Sequence, residues 1–174
     1  MAEPLLRVEG LGVHDAAAPL LQGVSFQVEP AALTAVIGPD DGDKDALVAA
    51  LTGRRPCDRG TLRFAGRPIT RTRAALRVRA GLVATARQPL PVSGDGLVET
   101  VVVAMTGCRP LRAPWWRRSP RRAQTAAAEA LLRFVGLGDA PATAPRLPDG
   151  AARARLTLAC ALAVRPRLLL VDRL

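Results

Sequence analysis

A glycine at position 38 and a lysine at position 44 carry the clearest chemical signal in the chain. They belong to GPDDGDKDAL, residues 38–47, which follows an apolar run at 33–37 and opens a helical pattern. A phosphate-binding loop has this outline, G-x-x-x-x-G-K-[ST]. Its glycines turn successive main-chain N–H groups toward a phosphate, and the following helix adds about half a positive charge at its N-terminus. The lysine bridges the terminal phosphates and the hydroxyl holds Mg²⁺. Here Gly38 stands at the first glycine and Lys44 at the lysine, but Asp43 replaces the second glycine and Asp45 the hydroxyl residue. Asp40 and Asp41 precede Gly42, and Ala46 follows Asp45.

The substitutions oppose the chemistry that the outline suggests. A carboxylate about 5 Å from a phosphate charge costs roughly 3 kcal/mol at an effective dielectric near 20. Two such carboxylates exceed what a helix N-terminus returns, about 0.3–1 kcal/mol. Asp43 also adds a Cβ where the backbone of such a loop needs close approach and special φ/ψ. Mg-ATP affinity is therefore expected to be lost or severely reduced. Asp45 could itself ligate a divalent cation through its carboxylate. The loop is no EF-hand, because Ala46 stands where that loop needs glycine and no glutamate closes it. Taken alone, the stretch is better explained as an acidic turn at a helix start, where aspartates are favourable.

The elements needed to position these residues follow from the pattern. Residues 5–13 and 20–28 read as strands, the second alternating around Val24, Phe26 and Val28. The run at 33–37 reads as a short strand covered on both faces, and 45–51 as a helix stopped by Gly53. Further strands are expected at 60–65 and 81–85, and a basic helix at 72–79; 88–96 reads as a loop, and 97–105 fits helix or strand. A helix from Ser119-Pro120 to Val135 carries a stripe of Ala127, Leu131, Phe134 and Val135. Another runs from Asp149 or Gly150 to Val164, and a buried strand at 168–172 ends in Asp172. This alternation is α/β.

Composition bounds the rest. The 174 residues are 49% hydrophobic, enough for a real core, and no apolar run approaches the roughly 18–20 residues of a membrane span. No signal peptide is read at the N-terminus. Cys57, Cys108 and Cys160 lack metal-ligand spacing and read as reduced thiols of a cytosolic protein. The net charge of +10 is almost wholly arginine, which a biased composition accounts for. Aromatics are 3%, too few to support base stacking, so no nucleic-acid partner is expected. Trp115 and Trp116, flanked by arginines in residues 109–122, suit an exposed loop packing on the domain or a lipid headgroup interface.

Over essentially its whole length the chain resembles the ATP-binding subunit of ABC transporters, especially the branched-chain amino-acid uptake type. The resemblance rests on LLRVEGLGVHDAAAPLLQGVSFQVEPAALTAVIGP, on LTGRRPCDRGTLRFAGRPIT, on GLVATARQPLPVSGDGLVETVVVA, and on RFVGL ahead of LPDGAARARLTLACALAVRPRLLLVD. It implies a P-loop NTPase-like ABC nucleotide-binding domain with an antiparallel β part and a helical part. The whole chain, 1–174, would form one such domain, truncated at its C-terminus. Its core would be 1–96 and 165–174 and its helical part about 97–164, with the strand ending in Asp172 beside the one ending in Ile37. Truncation would leave one edge of that sheet exposed.

The family's functional positions are altered. Its adenine-stacking aromatic falls at Asp15. Its Q-loop glutamine falls at Arg87, with Gln88 one place off. Its signature falls at Pro148-Asp149-Gly150-Ala151-Ala152, where only Gly150 matches. Asp172 matches the Walker B aspartate, and the catalytic-glutamate position is Arg173, so no catalytic residue is intact. His14, the only histidine, is not the family's switch histidine. The resemblance implies ATP and Mg²⁺ as ligands, expected weak or absent. It also implies a membrane permease and a homo- or heterodimeric ATPase partner, and a cytoplasmic location, peripheral on the membrane. The expected role is a non-catalytic subunit; the alternatives are a weakly active transport ATPase and a decayed gene product without selected function.

Overall fold

The computed structural model describes residues 3–15, 18–38, 42–85, 96–107, 120–138 and 150–172. They fall in two compact units, Met1–Leu82 and Val83–Leu174. The first unit is built on an antiparallel sheet. Strand β1 (Leu6–Asp15) lies between β2 (Ala18–Val28) and β3 (Arg59–Phe64), and the short β4 (Arg67–Pro68) extends the β3 side. Leu6 and Val8 point into the core, where Leu62 and Phe64 join them while Arg7 and Arg63 stay outside, the expected period of two. The alternation then breaks: Leu11, Gly12 and Val13 are all buried, and register shifts separate Val8, Leu11 and Val13 in the pairing with β2. A bulge re-aims the end of β1 in this way. Gly60 makes it fit, because at its φ of +87° an added Cβ would sit 2.5 Å from the carbonyl oxygens of Glu9 and Gly10.

Helix α1 (Asp43–Thr52) packs Ala46, Leu47, Ala50 and Leu51 into the same unit. It ends where the sequence stops it: Gly53 takes φ 76°, and its N–H with those of Arg54 and Arg55 reaches the carbonyls of Ala49 and Ala50. Helix α2 (Ala74–Ala80) is closed by Gly81, and its Arg77 side chain is buried.

In the second unit α3 (Leu97–Gly107), α4 (Arg121–Phe134) and α5 (Gly150–Ala163) share one apolar cluster. Leu97, Val101, Ala128, Leu132, Leu156 and Ala159 form its centre. The β-branched stretch that fitted either state is therefore helix: tertiary packing against α4 and α5 overrides the strand preference of its valines and threonines. Strands β5 (Leu82–Ala84) and β6 (Leu168–Leu170) form a two-stranded sheet. Cys160 is buried in the helical cluster, and burial pushes its thiol up to about 11. At pH 8 only on the order of 0.1% of it is thiolate. Cys160 is expected to resist iodoacetamide in the native protein and to react on unfolding in urea, read by mass spectrometry of the labelled peptide.

Three expectations are corrected. Residues 33–37 form no strand; Leu33 is 101% and Ile37 92% exposed. An apolar run becomes a covered strand only where neighbouring strands take up its main-chain groups, and no described strand pairs with it. Strand β6 pairs with β5, and its residues are half-buried rather than buried, with Val171 exposed. In α4 the buried seam is Ala128 and Leu132; of the expected stripe Leu131 and Val135 pack half-buried against the same cluster, whereas Ala127 and Phe134 are exposed. Phe134 is 78% exposed, because the partners that select the face are α3 and α5, invisible to periodicity within one helix.

Candidate phosphate loop and surrounding residues

Of the loop residues, Gly38, Gly42, Asp43, Lys44, Asp45 and Ala46 are described, and Asp40 and Asp41 lie outside the described residues. Gly42 is the N-cap of α1, in the left-handed conformation at φ 93° and ψ −11°, and no side chain caps the helix. The Ala46 N–H donates to the Gly42 carbonyl at 2.9 Å, the first helical bond. Nothing lies within 4 Å of a Cβ built on Gly42, so glycine is required there for conformation and not for space. The special backbone conformation that the loop outline places at Asp43 falls on Gly42 instead, and Asp43 is a first-turn helical residue. Helix formation simply starts two residues earlier than periodicity alone indicates, since aspartates favour the first turn.

Asp43 and Asp45 both occupy that first turn. Asp43 is exposed, and Asp45 is half-buried with its Oδ1 withdrawn from solvent. Lys44 is half-buried, and its Nζ donates to the main-chain oxygen of Gly38, which ties the two family-matching residues of the loop to each other.

The opposite end of α1 holds a feature that the sequence reading did not single out. Arg77, 2% exposed, sends Nη1 to the carbonyls of Ala50 and Leu51 at 2.6 and 2.8 Å. Its Nε and Nη2 reach the carbonyls of Thr72 and Thr70 at 2.9 and 3.0 Å. A full positive charge therefore sits on the C-terminal, negative end of α1. Burial lowers the Arg77 pKa, and the guanidinium is always protonated in proteins. In the sequence Arg77 is one arginine among several in a basic helix, so nothing marks it.

An ion pair and a hydrogen-bonded His–Asp contact close the end of β1. Asp15 Oδ1 accepts from Arg55 Nη2 at 3.2 Å. Asp58 Oδ2 accepts from the His14 main-chain N–H at 2.8 Å and faces its ring Nδ1 at 3.2 Å. The His14 main-chain bond, followed by its ring, holds the Asp58 carboxyl below the usual carboxylate range. A depressed carboxylate stabilises the fold above its unfolded pKa, near 3.9, and loses that contribution as pH falls through its folded value. Asp58→Asn is therefore expected to lower the melting temperature at pH 7, with the difference from the parent chain narrowing as pH falls through the depressed Asp58 value.

In the second unit Asp172 is half-buried just past β6. Thr85 fixes its main chain: the Asp172 N–H donates to Thr85 Oγ1 at 3.0 Å, and that hydroxyl faces the Asp172 carbonyl at 3.2 Å. Gly150 and Ala151 open α5 and are exposed. Arg87, Gln88, Asp149, Arg173 and the Trp115–Trp116 stretch lie outside the described residues. No cluster of three or more His, Cys, Asp or Glu able to hold a metal occurs among the described residues. No helix among them is long and apolar enough to cross a membrane.

Comparison with known proteins supplies the context for this geometry. The family described as ABC transporter matches residues 21–173. The hemin import ATP-binding protein HmuV of Streptomyces coelicolor is 36% identical over 98% of this chain and 58% of its own length. The Fe(3+) ions import ATP-binding protein FbpC 2 of Rhodococcus jostii is 35% identical over 96% of this chain and 45% of its own. The chain thus spans about half the length of the curated relatives it matches. A crystal structure of a nucleotide-free ATP-binding cassette from an ABC transporter superposes with a TM-score of 0.80, at 24% identity, over 98% of this chain and 69% of that one. With the family match covering most of the sequence and the solved cassettes sharing its fold, this chain belongs to the ATP-binding domains of ABC transporters.

Proposed function

We propose that this chain is an ABC ATP-binding-subunit-like protein that has lost productive nucleotide binding and acts as a non-catalytic subunit, docking on a membrane permease or an intact ATPase. The observation that carries this is the pair of carboxylates, Asp43 and Asp45, in the first turn of α1. That turn is where the family's ATP phosphates would meet main-chain N–H groups and the positive helix end. The residues present do not fit that ligand. Lys44 is drawn onto Gly38, the hydroxyl that would hold Mg²⁺ is replaced by Asp45, and Asp40 and Asp41 add negative charge in the sequence. Asp172 and Asp45 remain the candidate metal ligands. Arg87 at the Q-loop position with Gln88 one place off, Asp149 and Ala151 on either side of the retained Gly150, and Arg173 point the same way, since an acid stands for the signature hydroxyl and a base for the catalytic acid.

The domain plan proposed with this role is a core of 1–96 and 165–174 and a helical part of about 97–164, at the cytoplasmic face of the membrane. The branched-chain amino-acid cargo suggested by resemblance has no support among the named relatives, whose names cite hemin and Fe(3+) import. Cargo is set by other subunits and is not assigned. Isothermal titration of the chain with Mg-ATP is expected to give no saturable binding at micromolar ligand. Micromolar affinity would overturn this reading in favour of a weakly active ATPase relying on Lys44 and Asp172. The exposed run at 33–37 favours one further reading, a decayed gene product. A chain that lacks a cooperative unfolding transition would support it.

A further inference from the structure

Between Asp58 and Asp95 the chain contains no acidic residue while arginine recurs throughout. Helix α2 lies inside this stretch and has two unlike faces. One carries Arg77, buried against α1 and the turn at 70–72. The other presents Ala75, Leu76, Arg79 and Ala80 to solvent, with Arg71 and Arg73 exposed just before the helix. No described residue forms an ion pair with Arg71, Arg73 or Arg79. Leu76, 51% exposed, stands among these charges.

We propose that the outer face of α2, with Arg71, Arg73 and Arg79 around Leu76, is a docking surface for an anionic lipid bilayer. Charge complementarity calls for an anionic partner, and Leu76 selects its kind. A phosphate backbone offers an exposed leucine nothing, whereas the headgroup–acyl boundary accepts an apolar side chain ringed by arginines. Arginine stems lie along apolar surface while their guanidinium groups reach phosphate. The face is presented rigidly, because the four carbonyl bonds of Arg77 hold the helix from behind. Each arginine near an anionic surface strengthens binding about fivefold, screened within a Debye length, so affinity falls steeply with salt.

The test is co-sedimentation of the full chain with vesicles of phosphatidylcholine alone and of an equimolar phosphatidylcholine–phosphatidylglycerol mixture. Binding to the mixture and not to the neutral vesicles is expected. The triple variant Arg71→Gln/Arg73→Gln/Arg79→Gln should lose about a hundredfold in affinity, and Leu76→Ser about tenfold. Arg59→Gln/Arg63→Gln/Arg67→Gln removes the same net charge from the sheet and should retain binding within about fivefold. Circular dichroism of each variant establishes that it is folded. Equal losses in the two triple variants would overturn the proposal as mere net charge. So would undiminished binding of the α2 variant, or duplex DNA binding tighter than the vesicles and indifferent to Leu76→Ser.

Discussion

Replacing Arg77 with methionine is expected to lower the unfolding free energy by about 3–5 kcal/mol. The guanidinium is buried and donates to four main-chain carbonyls, at Ala50, Leu51, Thr70 and Thr72. Methionine fills much of the volume but donates nothing, so those carbonyls lose a charged partner in a region water does not readily enter. Hydrogen bonds to charged groups contribute about 1.5–3 kcal/mol each, and the four are not additive because one side chain makes them all. The end of α1 also loses the cation that complements its dipole. Arg77→Lys should recover part of the loss, since an ammonium supplies the charge and not the planar fork. Urea unfolding followed by far-UV circular dichroism measures both variants. A loss below about 1 kcal/mol in Arg77→Met would mean that water replaces the guanidinium at these carbonyls.

Restoring the family residues in the loop is expected to act in opposite directions on ligand affinity and stability. The double variant Asp43→Gly/Asp45→Ser removes two carboxylates from the first turn of α1 and returns a hydroxyl to the Mg²⁺ position. Each carboxylate near a phosphate costs roughly 3 kcal/mol at an effective dielectric near 20. Allowing for relaxation and for the acidic residues that remain, Mg-ATP should bind at least about a hundredfold tighter than to the parent chain. The same change forfeits favourable charge–dipole interactions of about 0.3–1 kcal/mol each and adds a glycine to the helix, so the unliganded chain should be about 1–2 kcal/mol less stable. Calorimetric titration and urea unfolding on one preparation read both quantities. Unchanged ATP affinity would overturn the proposal that Asp43 and Asp45 weaken nucleotide binding.

Both predictions concern α1, yet only one of the two features they test was legible in advance. The loop declares itself through Gly38, Lys44 and the aspartates, whose types and spacing are local properties of the chain. Gly53 likewise announces the helix end. Arg77 does not, because its role depends on α2 lying against the last turn of α1, a meeting of residues 26 and 27 positions apart. The pairs Asp15–Arg55 and His14–Asp58 escaped for the same reason: each joins β1 to a segment 40 or more positions later. Helix α4 shows the limit from the other side. Its period was correct, but the centre of its buried face, Ala128 and Leu132, lies beside the expected stripe, since α3 and α5 choose the face.

Local pattern and family-wide spacing were sufficient for the α/β class, for most of the element order and for the helix that follows the loop at 38–44. These depend on residue type and on separations along the chain, which need no coordinates. Three-dimensional contact alone could reveal the buried guanidinium on α1, the helical state of residues 97–107, the left-handed turn at Gly42 rather than Asp43, and the exposure of the run at 33–37. Each of these depends on which distant segment supplies, or fails to supply, a hydrogen-bonding partner or an apolar neighbour.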